Sequence, residues 1–185
     1  MNRERSSREG ILLNLLEEFR GTGFDGASLS RISDLTGLGK ASLYHHFPGG
    51  KGEMAEAVMD LAGAWVQANV LDHLRAADAP KARLERALAS LEGFYQGGAK
   101  SCLLEVMPIG GGPQVKAKVA EVLHSLVDAF RDLALAAGFS QTEAQRRAEG
   151  VLVTIQGSLV VARGLGDPGV FLRQIQGLRE GFLRP

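Results

Sequence analysis

The stretch Ser28-Leu-Ser-Arg-Ile-Ser-Asp-Leu-Thr-Gly-Leu-Gly-Lys-Ala-Ser-Leu-Tyr-His-His-Phe47, followed by Pro48 and Lys51, decides the fold of this chain. The hydroxyl of Ser28 suits a helix start, where it accepts an otherwise unpaired backbone N–H, and Ile32 and Leu35 follow at a spacing that turns both inward. Gly37 stops that helix, because a residue free to take φ > 0 suits a sharp turn between two steeply crossing helices. Leu38 is placed to plug the corner. A second helix from about Lys40 sets Leu43 and Phe47 at i and i+4 on its buried side, so Lys40, Ala41, Ser42, Tyr44 and His45 face outward, and Pro48 ends it. Residues 28–47 therefore read as a helix-turn-helix. The outward set holds one positive charge, a hydroxyl, an imidazole and an aromatic tip, groups that hydrogen-bond to phosphates and base edges in the major groove of double-stranded DNA. His45 and His46 point about 100° apart on a helix, an angle unsuited to a shared metal, and no metal site is expected.

Over about residues 5 to 65 the chain resembles the TetR family of bacterial transcriptional repressors. That family pairs a capped helix beginning with Ser or Thr with Gly-Leu/Val-x-x-x-x-Leu-Tyr-x-x-Phe-x-x-Lys, and here Gly37-Leu38, Leu43-Tyr44, Phe47 and Lys51 take those places. The Phe47-Pro-Gly-Gly-Lys51 connection is one residue longer than the commonest spacing, as in the subgroup resembling the lincomycin-resistance repressors. The resemblance implies that Tyr44 and Lys51 grip backbone phosphates, that Ser28 and Ser30 contact the same strand, and that Lys40, Ala41, Ser42 and His45 face bases. It also implies a homodimer, a small-molecule inducer bound in a second domain, and a DNA operator as partner.

The full chain of 185 residues suffices for one large domain or two small ones, and its 45% hydrophobic content suits a globular protein with a sizeable core. Its net charge is zero and residues 1–52 carry only +1, so bulk charge cannot supply DNA affinity. Local placement of a few cations and doubling of the reader in a dimer must do so. A lone cysteine, Cys102, excludes an intramolecular disulfide and suits a reducing cytoplasm; an inert buried thiol is expected. The polar first ten residues lack a hydrophobic signal. The most apolar run, Val151 to Val161, is interrupted by Thr154, Gln156, Gly157 and Ser158 and is too short to span a bilayer, so no membrane partner is expected.

Nearly every segment has the helical period, which predicts an all-α protein of about nine helices. Ile11, Leu15 and Phe19 line a first helix ending near Gly21 to Gly23, ahead of the reading pair. Met54, Val58, Leu61, Trp65 and Ala68 trace a long fourth helix that Asp78-Ala-Pro80 terminates. A domain joint inside it divides a three-helix DNA-binding domain, 1–64, from a ligand-sensing and dimerisation domain, 65–185. Leu84, Leu88, Leu91 and Tyr95 stripe the next helix, and Val115, Val119, Val122, Leu126 and Leu133 a later one. Ser140-Gln-Thr-Glu143 has the capping-box pattern, and Asp167-Pro168 reads as an N-cap followed by a first-turn proline.

The last two helices carry wide apolar stripes, and the resemblance assigns them to dimerisation through Val151, Ile155, Leu159, Ala162, Phe171, Ile175 and Leu178. Trp65, Phe94, Tyr95, Cys102, Met107, Phe130 and Gln156 mix aromatic walls with a few polar handles, as small-molecule pockets do, and form the candidate effector lining. No cofactor is implied. Gly39-Lys40-Ala41-Ser42 lacks the frame of a phosphate loop, Gly157-Ser158 that of a nucleophile elbow, and His73 and His124 lack partners at zinc spacing, so no enzyme is expected. The expectation is a homodimeric repressor released from a palindromic operator by an apolar or amphipathic ligand; a ligand-independent helical interaction protein is the alternative.

Overall fold

The apolar periodicity becomes helix throughout residues 8–185, which this computed structural model describes; Arg3, Glu4 and Arg5 of the charge count, and most of the polar leader, lie outside them. The order is α1 (Arg8–Gly26), α2 (Leu29–Thr36), α3 (Lys40–His46), α4 (Gly50–Val66), a π turn (Gln67–Leu71), α5 (Asp72–Arg75), α6 (Pro80–Phe94), a 3-10 turn (Gln96–Gly98), α7 (Leu103–Val106), α8 (Gly112–Ala136), α9 (Gln141–Leu165) and α10 (Gly169–Gly181). The backbone stays helical from α4 through the π turn into α5, so these make nine rods, with no strand among the described residues.

Two units pack separately: residues up to Gly63 with Leu103–Ala120, and Ala64–Cys102 with Glu121–Pro185. The division expected at 64/65 into two consecutive segments is thus modified by one insertion. Leu103, Met107, Val115 and Val119 bury their side chains, and that carries α7 and the start of α8 into the amino-terminal unit, with α7 packed on α1.

In the amino-terminal unit Ile11, Leu15, Phe19, Ile32, Leu43, Phe47, Met54 and Val58 form the core. Helix α1 breaks where the glycines suggested, at Gly23 (φ 68°, ψ −177°), then makes one further turn. A side chain at Gly23 would start 3.4 Å from the Val106 carbonyl oxygen, so the kink and α7 are packed together. Leu35 departs from expectation and is 46% exposed, because α2 is one short helix whose buried positions are Ile32 and Thr36. The Thr36 hydroxyl donates to the Ile32 carbonyl at 2.7 Å and accepts the Leu38 N–H at 3.3 Å, which makes its burial tolerable.

In the second unit Leu84, Leu88, Leu91 and Tyr95 of the α6 stripe are buried, and α9 packs along α10. The Gly98 backbone (φ 102°) approaches so closely that a Cβ there would lie 2.6 Å from Phe171 Cβ. Half of the capping box forms at α9: Ser140 Oγ accepts the Glu143 N–H at 3.3 Å, but the Glu143 carboxylate turns to Arg146 and Arg147. At α10, Asp167 Oδ1 accepts the Gly169 N–H at 2.9 Å. Taken whole, α9 is long and apolar enough to cross a membrane, which the shorter run inside it is not, and about a third of its most apolar stretch is buried in the protomer.

Candidate nucleic-acid interface

Helix α2 starts as its sequence required. Ser28 Oγ accepts the Arg31 N–H at 3.2 Å, and Gly37 closes the helix in the left-handed region (φ 69°). Helix α3 then buries Leu43 and ends at Phe47, also fully buried, so its register is set by the core. Ser28, Ser30, Lys40, Ala41, Ser42, Tyr44 and His45 are all exposed, five of them along α3. The rings of His45 and His46 lie 5.9 Å apart at a steep angle, and among the described residues no group of three metal-ligating side chains comes together. The additional residue between Phe47 and Lys51 has a structural role: Gly50 takes φ 66°, and the Tyr44 ring lies against it, 3.4 Å from where a Cβ would stand.

Lys51 differs from its expected role. Its Nζ donates to the carbonyl oxygens of Phe24 at 3.0 Å and Ala27 at 3.1 Å, and lies 4.4 Å from the centre of the Phe24 ring. The ammonium thus serves the carboxyl end of α1, where unpaired carbonyls and a partial negative charge favour a cation. The cause is local: the left-handed turn at Gly50 starts α4 and aims its first side chain inward.

One basic residue was missed. Arg31 on α2 is 61% exposed yet pairs with Glu18, which is only 4% exposed, through Nε at 2.7 Å and a terminal nitrogen at 3.3 Å. The hydrogen bond and charge of that carboxylate raise the guanidinium above its ordinary range. The signal was present in the sequence, since Glu18 sits beside Phe19 and one turn from Leu15 on the apolar face of α1, and an inward carboxylate needs a cation.

In the second unit Tyr95, Cys102 and Gln156 come together. The Tyr95 hydroxyl donates to Cys102 Sγ at 3.1 Å and Gln156 Nε2 donates to the same sulfur at 3.3 Å. Trp65 stacks on Phe94 with ring centres 4.0 Å apart, Phe94 meets Tyr95 edge-on at 5.2 Å, and Tyr95 meets Phe171 edge-on at 5.8 Å. Phe130 packs edge-on against Phe182, and Met107 is buried in the amino-terminal unit. Phe171, expected at a dimer contact, joins the aromatic wall.

The rest of the expected dimer set is corrected in the same way. Val151, Ile155, Leu159, Ala162 and Ile175 are buried inside the protomer and Leu178 partly so, and a side chain facing its own core offers no surface to another copy. The strongest apolar stripe marked the core. A second apolar side of α9 stays exposed, with Val153 at 72% and Leu165 at 71%, Val160 and Val161 between them, and open space above Gly150, Gly157 and Gly164.

Residues 11–58, from α1 into α4, match the model of the family described as bacterial regulatory proteins, tetR family. Residues 11–58 thus carry the amino-terminal region that defines that family. The chain is 30% identical over 106 residues to the HTH-type transcriptional regulator LmrA of Bacillus subtilis (strain 168), a match covering 56% of this chain and 54% of that one. The chain thus matches about half the length of that curated relative. Its fold is similar to that of a TetR transcriptional regulator from Legionella pneumophila (TM-score 0.84, 18% identity, 96% of this chain and 97% of that one). A TetR-family regulator from Agrobacterium tumefaciens is comparable (TM-score 0.81, 22% identity, 97% and 98%). At such identities the likeness establishes the fold: an all-helical protein with an amino-terminal helix-turn-helix.

Proposed function

We propose that this chain is a DNA-binding transcriptional regulator, a homodimeric repressor held on a palindromic operator and released by a small apolar or amphipathic ligand. The observation that carries the reading is the α3 face, where Lys40, Ala41, Ser42, Tyr44 and His45 stand clear of a core that fixes the register through Leu43 and Phe47. With Lys51 turned onto the Phe24 and Ala27 carbonyls, Lys40, expected from the sequence to face bases, takes over its phosphate contact beside Tyr44, Ser28 and Ser30, and Ala41, Ser42 and His45 face the bases. Because residues 1–52 carry only +1, a single reader binds weakly, and two readers one helical turn apart, about 34 Å, supply the affinity. The exposed side of α9 is the surface through which the second copy pairs, and cytoplasm is the compartment where its DNA lies. Effector binding beside the Trp65–Phe94–Tyr95 wall shifts α4, the helix that crosses the division at Gly63, and weakens operator binding.

Selection of duplexes from a random pool, followed by mobility shift, tests the reading. One palindromic sequence is expected to be enriched; Tyr44→Phe should weaken all sequences alike, while Ser42→Ala or His45→Ala should change the base preference. A pool that yields no enriched sequence would overturn it.

A further inference from the structure

We propose that Tyr95, Cys102 and Gln156 form the polar end of an effector site that takes a small aromatic molecule bearing one hydrogen-bond donor, a phenol or an indole by chemical class, with the donor received by the side-chain oxygen of Gln156. The inference rests on the reading of the chain as a ligand-responsive regulator and specifies what that ligand must carry.

The amide of Gln156 is answered at one end only. Its nitrogen donates to Cys102 Sγ at 3.3 Å, whereas Oε1 is buried without a hydrogen-bond partner. A buried acceptor left unpaired is costly, so a molecule bringing an N–H or O–H to that oxygen is rewarded there. Of the neighbouring donors, the Tyr95 hydroxyl is committed to the same sulfur at 3.1 Å, and the Cys102 thiol, a weak donor, meets the amide at its nitrogen and not at Oε1. Both residues that flank the amide, Tyr95 and Cys102, are buried, which keeps the hydrogen bond in a low-dielectric setting where it discriminates strongly.

The aromatic chain defines the rest of the molecule. Phe94 stacks on Trp65 at 4.0 Å and leads edge-on to Tyr95 at 5.2 Å and on to Phe171 at 5.8 Å, while Trp65 and Phe94 themselves remain partly exposed. A flat apolar ring extends such a series, and an ionised group would be stranded against it. Occupancy is also placed to be felt along the chain. Cys102 is the last residue of its packing unit before Leu103, which begins α7, and the Val106 carbonyl at the end of α7 lies against the Gly23 kink of α1.

Calorimetric titration of the full chain with phenol, indole, toluene and acetophenone separates the possibilities. Phenol and indole should bind, toluene about tenfold more weakly for want of one hydrogen bond, and acetophenone, which only accepts, no better than toluene. Gln156→Leu, checked for its helical signature by circular dichroism, should bring the phenol-to-toluene ratio close to one. If that variant does not fold, the ratio for the unaltered protein still decides. Toluene binding as tightly as phenol, tighter binding of acetophenone, a ratio unchanged in Gln156→Leu, or no binding up to solubility would overturn the proposal. Mobility shift on the same samples keeps the two readings apart: phenol that binds as described yet leaves operator affinity unchanged supports the site and removes ligand release.

Discussion

Lys51 and Arg31 both hold partners within the fold, where residue type alone suggests free surface cations. One left-handed glycine, Gly50, redirects the lysine onto the Phe24 and Ala27 carbonyls, while the arginine spans from an exposed helix face to a buried carboxylate. Lys51→Ala is therefore expected to lower the unfolding free energy in urea by about 1–2 kcal/mol, the worth of two such hydrogen bonds, with little change in the salt dependence of DNA binding. Lys40→Ala should do the converse, reducing the salt slope by about one per reader with the fold unaffected. A reduced slope in Lys51→Ala would return that lysine to the phosphate backbone. Arg31→Ala leaves the buried Glu18 carboxylate without its cation, so a lower urea midpoint is expected in the same series.

At the scale of the helix, starts and stops were legible because they depend on neighbours in the chain. Ser28, Gly37, Ser140 and Asp167 all cap as their types predict, and Pro80 opens α6. The Glu143 carboxylate is the exception, drawn away by basic residues one turn ahead. Hydrogen bonds from Arg146 and then Arg147 lower its pKa from 4.5 to about 2. A depressed carboxylate contributes stability that is present above its unfolded value and lost as pH falls through the folded one. Thermal unfolding followed from pH 4.5 down to about 2 should therefore fall less steeply in Glu143→Gln than in the unaltered chain. The π turn Gln67–Leu71 was invisible to periodicity, since a single widened turn leaves the apolar stripe almost unchanged. There the Asn69 side chain donates to the Trp65 carbonyl at 2.9 Å. Asn69→Ala should alter the fluorescence of Trp65 and cost about 1 kcal/mol; unchanged emission would show that the amide does not hold the turn.

For the whole molecule the apolar surface of α9 has two destinations. One side, through Val151, Ile155, Leu159 and Ala162, fills the protomer, and the other, through Val153, Val160, Val161 and Leu165, is left in solvent. Charge placed on each side should have different consequences. Val160→Glu is expected to keep the helical signature and yield monomers in light scattering, whereas Leu159→Glu buries an unpaired charge and should cost several kcal/mol, unfolding the chain. Monomers from the unaltered protein at micromolar concentration would refute assembly through this face.

The sequence by itself determined the helical class, the helix-turn-helix at 28–47, its outward residues and the core stripes, because each follows from short-range rules of spacing, capping and turn conformation. Tertiary structure decided what no local rule encodes. It sent Leu103–Ala120 to the amino-terminal unit, brought Tyr95, Cys102 and Gln156 together, and turned Lys51 inward. It also showed which of two apolar sides of α9 is core. Periodicity reports that a face is apolar; only the packed neighbours determine whether that face is covered by the same chain.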